Sequence, residues 1–124
     1  MNHAFREIIE DCPVIATVKD MESLEKSFET DSQIIFILFG DICNISEIVE
    51  RVKTEGRIAM VHLDLVSGFD GREIAVDFIR HNTRADGIIS TKTAQINRAK
   101  KLGLYAVHRF FVLDSRSLEN IRRQ

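Results

Sequence analysis

The chain has 124 residues, 44% apolar and 29% charged, with a net charge of −2, which is ordinary globular composition for one domain spanning 1–124. Its longest apolar run, Ile34–Phe39, falls far short of the ~20 residues of a membrane-spanning helix. The start, MNHAFREIIEDC, lacks the basic flank and apolar core of a secretory signal. Cys12 and Cys43 show neither C-x-x-C spacing nor a cysteine-rich frame, so a reduced, cytoplasmic setting is expected, with both as small buried hydrophobes.

Strand-like and helix-like segments alternate along the chain. Pro13–Val18 (PVIATV) reads as strand one, and residues 20–30 follow as a helix with Asp20 as N-cap and Leu24 and Phe28 on one face. Strand two is Ile34–Phe39. Asn44 and Glu47 have capping-box spacing before a helix over 45–56 that Gly56 closes. Strand three is Arg57–Val66 (RIAMVHLDLV), and Asp70 with Glu73 opens a helix over 72–83 in the same way. Ala85–Ser90 is strand four; a helix over 93–103 turns Ile96 and Ala99 inward and ends at Gly103. Leu104–Leu113 is strand five, and Asp114–Gln124 begins a last helix.

Five β-α units at this spacing imply a parallel sheet with helical crossovers. Two architectures accept the string. One is a doubly wound five-stranded parallel sheet, which suits the length and is what pattern alone favours. The other is a TIM-barrel-like (β/α) fold of which the chain supplies the first five units, since closing such a barrel takes about 200 residues or more. Both put ligand chemistry at the carboxyl ends of the strands.

His62 and Asp64 interrupt strand three, and alternation puts them on one side of it. A covered sheet face does not accept unpaired charge cheaply, so both are expected at the strand's carboxyl end as a mutually satisfied pair. Ser90, Thr91 and Lys92 end strand four, His108 and Arg109 lie on strand five, and Lys19 ends strand one. Polar groups therefore converge on one rim. Each has a plainer reading: Ser90 or Thr91 as a helix cap, His62 as a hydrogen-bonded structural histidine, Lys19 as a solvated end residue.

Several site types do not fit. A phosphate-receiver site finds two of its places in Asp64 and Ser90 or Thr91, but Lys19-Asp20 and His108-Arg109 do not supply the others. Neither G-x-G-x-x-G nor G-x-x-x-x-G-K occurs, and His3, His62, His81 and His108 are scattered, so no nucleotide cofactor or metal is expected. Lys19 and Lys92 are only generic acid-base candidates, and no catalytic residue is assigned. Charge is uneven: residues 1–89 hold 9 Lys and Arg against 17 Asp and Glu, whereas 90–124 hold 8 against 2. A basic C-terminal third can steer a polyanion to one face, or it is a chance cluster of solvated side chains.

The stretches CPVIATVKD, VHLDLVSG, DGIISTK and AKKLGLYAVHRFFVLDS, in this order, resemble the glycerol uptake operon antiterminator regulatory protein family. The resemblance runs from Pro13 to about Leu118. It implies a barrel-like fold and an RNA-binding, non-enzymatic regulator that responds to glycerol 3-phosphate, binds the mRNA leader of glycerol-metabolism genes and prevents premature termination. On that reading Lys19, His62, Asp64, Ser90, Thr91, Lys92 and Arg109 line the ligand rim. Arg98, Lys100, Lys101, Arg116, Arg122 and Arg123 offer a surface to the RNA backbone. The family pattern continues into three further strands with Leu-Pro-Gly and Gly-Gly segments. The chain is thus expected to be an incomplete barrel whose first and fifth strands are edges that invite self-association. The competing expectation is a small barrel-type enzyme or sugar-phosphate sensor without an RNA role.

Overall fold

The computed structural model describes residues 14–109. Along them run β1 (Ile15–Val18), α1 (Met21–Ser27), β2 (Ile34–Ile37), α2 (Ile45–Thr54), β3 (Ile58–His62), α3 (Ile74–Asn82), β4 (Gly87–Ser90), α4 (Thr93–Lys101) and β5 (Tyr105–His108). A 3-10 turn, Leu63–Leu65, follows β3. Cys12 and the last expected helix lie outside the described residues.

The strands form one parallel sheet in the order β1-β2-β3-β4-β5. The five-stranded parallel α/β sheet expected from the sequence is present, and its order never reverses, as in consecutive units of a barrel. Alternation sorts the strand residues by face. Val18, Ile35, Ile37, Ala59, Val61 and Ile88 pack with Leu24, Ile45, Val49, Val52, Val76, Ile79 and Ala99 from the four helices. Burying each of the larger aliphatic side chains there contributes about 1.5–3 kcal/mol. The opposite face gathers Ile34, Met60 and Ile89 with Phe36, Ile58, Tyr105 and Val107, all from strands or their ends. His62 continues the Ile58–Met60 series and therefore belongs to this second face.

Two glycines in the sequence motifs have steric reasons. Gly68 of VHLDLVSG has φ +101° and a Cβ there would lie 2.9 Å from Ile42 Cγ2, where the loops after β2 and β3 pair through Asp41 and Ser67. Gly87 of DGIIS faces the Tyr105 carbonyl, and a Cβ would also stand 2.9 Å from Met60 Cε. Only hydrogen fits between β4 and β5 at that point.

Capping follows the sequence at one helix and departs from it at two. Asp20 Oδ1 accepts the Ser23 N–H at 2.7 Å and Ser23 Oγ accepts the Asp20 N–H at 3.2 Å, a reciprocal box before α1. The boxes expected at Asn44 and Asp70 do not form. Asn44 Oδ1 accepts the Asp41 N–H at 2.8 Å, and Asp70 Oδ1 accepts the Arg72 N–H at 3.0 Å. These short side chains close their own turns instead, an alternative that Asn and Asp carry wherever they occur. Cys43 sits in the turn before α2 and is exposed rather than buried.

At the amino edge of the sheet, Asp86 Oδ2 accepts both Lys53 Nζ and the Ala59 N–H at 2.8 Å, and Lys53 Nζ also donates to the Arg57 carbonyl at 3.1 Å. Arg57 donates to the carbonyls of Ser32 and Phe28. Among the described residues no helix is long and apolar enough to cross a membrane.

Candidate ligand rim at the carboxyl edge

β3 delivers His62 to the carboxyl edge and then tightens into the 3-10 turn, so Asp64 stands on that turn and not on the strand. The tightening changes the partners. His62 Nδ1 lies 3.7 Å from Asp64 Oδ2, beyond a hydrogen bond. The expected His62–Asp64 pair is therefore corrected: each residue is committed elsewhere. His62 Nε2 meets Arg109 Nη1 at 2.9 Å. Asp64 Oδ2 accepts the Thr91 N–H at 2.8 Å, and Oδ1 accepts Thr91 Oγ1–H at 3.0 Å. Lys92 Nζ donates to Thr91 Oγ1 at 3.2 Å and stands 3.7 Å from Asp64 Oδ1.

His62 is only 2% exposed. Burial lowers its pKa from 6.5, the Arg109 cation lowers it further, and the Asp64 carboxylate opposes both. The ring is thus neutral at neutral pH. Its Nδ1 is buried without a hydrogen-bond partner among the described residues.

Ser90 reaches the edge but works inward. It is fully buried; its Oγ donates to Gln95 Oε1 at 2.6 Å and accepts the Lys92 N–H at 2.9 Å. Gln95 Nε2 then donates to the carbonyls of Asp70 and Arg72, at 3.0 and 2.9 Å. Neither Ser90 nor Thr91 is the N-cap of α4, which is Lys92. Gln95 was missed by sequence reasoning. Its only signal is a position one turn before Ala99 on the inward face of α4, where a polar residue must find buried partners.

His108 Nε2 lies 3.3 Å from the Thr91 carbonyl, and the Arg109 N–H donates to the Ser90 carbonyl at 2.9 Å. The structure thus gathers His62, Asp64, Thr91, Lys92 and Arg109 across β3, β4 and β5. Lys19 follows β1 and is exposed; among the described residues no hydrogen bond or ion pair joins its side chain to that group.

The basic residues divide as well. Arg98 forms a two-pronged pair with Asp77, Nε to Oδ1 at 2.8 Å and Nη2 to Oδ2 at 2.7 Å. Each holds the other in its charged form, Asp77 lowered and Arg98 raised in pKa by that hydrogen bonding first. Lys100 and Lys101 are exposed in the last turn of α4, at the far end of the helix from the rim. Arg116, Arg122 and Arg123 lie outside the described residues.

A family described as "Glycerol-3-phosphate responsive antiterminator" matches residues 14–124. The chain belongs to this family. It is 43% identical over 112 residues to the uncharacterized protein YgcP of Escherichia coli strain K12, covering 90% of this chain and 59% of that one. A crystal structure of the glycerol uptake operon antiterminator regulatory protein from Listeria monocytogenes superposes with a TM-score of 0.79 at 28% identity, over 88% of this chain and 59% of the other. A glycerol uptake operon antiterminator-related protein from Thermotoga maritima gives 0.75 at 34% identity, over 90% and 62%. The chain spans about six tenths of the length of these relatives.

Proposed function

We propose that this chain is a cytoplasmic, RNA-binding transcription antiterminator for genes of glycerol uptake and metabolism, with glycerol 3-phosphate as effector and an mRNA leader as partner. The observation that carries the reading is the family match over nearly the whole chain. The rim adds support: two cations, Lys92 and Arg109, stand beside buried His62 and a fixed carboxylate, and guanidinium is suited to a phosphate through two hydrogen bonds. The reading is of a regulator and not of an enzyme. Supporting it, the direct hydrogen bonds of the two ionisable residues go elsewhere, His62 to Arg109 and Asp64 to Thr91.

The RNA surface on this reading is the end of α4, with Lys100 and Lys101 as its exposed cations. Leader-RNA binding measured across a salt series tests it. Replacing both lysines by Glu should weaken binding at every sequence and lower the slope of log affinity against log salt by about 2. It should leave stabilisation by glycerol 3-phosphate unchanged, because the pair lies far from the rim. Unaltered RNA affinity at low salt removes this surface, and stabilisation by glycerol 3-phosphate with no RNA binding at all points to a sugar-phosphate sensor.

A further inference from the structure

The contact between Arg109 and His62 settles more than a pairing. Guanidinium has only donors, so the 2.9 Å contact to Nε2 makes that nitrogen the acceptor and leaves the ring proton on Nδ1. That Nδ1–H is buried and has no hydrogen-bond partner among the described residues. Asp64 Oδ2 faces it from 3.7 Å. This oxygen already accepts the Thr91 N–H and keeps a second lone pair. A donor and an acceptor thus stand too far apart for a direct bond, and one oxygen atom seated beside them, about 2.8 Å from each, would satisfy both.

The bridging atom must accept from His62 and donate to Asp64. A hydroxyl does both. A ketone oxygen or an ionised phosphate oxygen only accepts, and an ammonium only donates. Thr91 holds Asp64 through its N–H and its hydroxyl, so the carboxylate is positioned in advance. Arg109, on the other ring nitrogen of His62, and Lys92, 3.7 Å from Asp64 Oδ1, are the rim's cations for a phosphate on the same ligand.

We propose that His62 and Asp64 are the specificity-determining pair of this rim, selecting a hydroxyl of a polyol monophosphate and rejecting the ketone form of the same phosphate. The inference rests on the reading of the rim as the effector site. It adds the basis on which the oxidation state of the ligand is read.

Calorimetric titration of the full chain with four ligands tests it: glycerol 3-phosphate, dihydroxyacetone phosphate, propane-1,2-diol phosphate and propane-1,3-diol phosphate. The ketone and propane-1,3-diol phosphate, which both lack the secondary hydroxyl, should bind about ten- to a hundredfold more weakly than glycerol 3-phosphate. Asp64→Ala, which removes the acceptor that a ketone oxygen would confront, should narrow the gap between glycerol 3-phosphate and the ketone. If glycerol 3-phosphate binds and the ketone, or propane-1,3-diol phosphate, matches it within about threefold, the selection is overturned while the effector reading stands. If glycerol 3-phosphate itself does not bind, the effector reading falls and this inference falls with it.

Discussion

Charged side chains gather at both edges of the sheet, and the two groups are built in opposite ways. At the amino edge every connection closes on the protein. Asp86 binds Lys53 and the Ala59 N–H, Lys53 returns to the Arg57 carbonyl, and Arg57 returns to the carbonyls of Ser32 and Phe28. At the carboxyl edge the closure is incomplete: Asp64 is held by Thr91 and His62 Nε2 by Arg109, but His62 Nδ1 has no hydrogen-bond partner among the described residues, and Lys92 and Arg109 are exposed. Half-buried charge is tolerated in the first case because hydrogen bonds offset the loss of water. In the second, the cations keep part of their contact with water instead. On the proposed function, the open edge is the one that meets the effector, as ligand chemistry in barrels sits at the carboxyl face.

The contrast breaks most visibly at Asp86. Asp86→Ala leaves Lys53 and the Ala59 N–H without their shared acceptor, in a pair whose Lys53 and Asp86 side chains are only 19% and 14% exposed. The loss should be roughly 3–5 kcal/mol by urea unfolding. A cost below about 1 kcal/mol, the range of an exposed pair, would mean that the amino edge is no more structural than the rim.

At the rim the expected result is reversed. Arg109→Ala should abolish the rise in melting temperature with glycerol 3-phosphate while costing about 1 kcal/mol without ligand, the range of one hydrogen bond. A destabilisation as large as that of Asp86→Ala, or a ligand response left intact, would assign Arg109 to the fold alone.

A smaller effect distinguishes the edges by pH. Burial and Arg109 lower the His62 pKa below 6.5 in the folded chain. The unfolded chain then binds more protons between the lowered value and 6.5, so stability rises with pH across that interval. The contribution is fully present above pH 6.5 and declines as pH falls toward the folded value. His62→Phe should flatten this part of the profile; a slope unchanged in the variant would locate the titration elsewhere.

The smallest change in stability belongs to Asp77→Ala on the helix surface. It releases Arg98 from its two-pronged pair, and leader-RNA affinity should increase as one more cation becomes available. Unchanged affinity would sharpen the contrast by confining RNA contacts to the Lys100–Lys101 end.

Much of the rim was legible as a set of residue types at strand ends, because the alternation of strands and helices is a local signal. His62, Asp64, Thr91, Lys92 and Arg109 come from three such ends. Their partners were not legible. Two-residue spacing suggested that His62 and Asp64 meet, but that holds only if the strand continues, and β3 stops at His62. Gln95, which ties Ser90 to the loop before α3, had no chemical pattern to mark it. Asn44 and Glu47 matched a capping pattern that lost to a tighter turn at Asp41–Asn44.

By itself the sequence determined which segments are strands and helices, which face of each is apolar, and that ionisable groups stand at the carboxyl ends. Apolar period, glycine punctuation and cap residues act within a few positions of one another, so each can be read in place. Tertiary structure alone decided who meets whom. Asp64 finds Thr91 across 27 residues and His62 finds Arg109 across 47, because parallel pairing of β3 with β4 and of β4 with β5 brings those ends level. The same register leaves His62 Nδ1 3.7 Å from Asp64 Oδ2, beyond a hydrogen bond, since the 3-10 turn carries the carboxylate off the line of the strand.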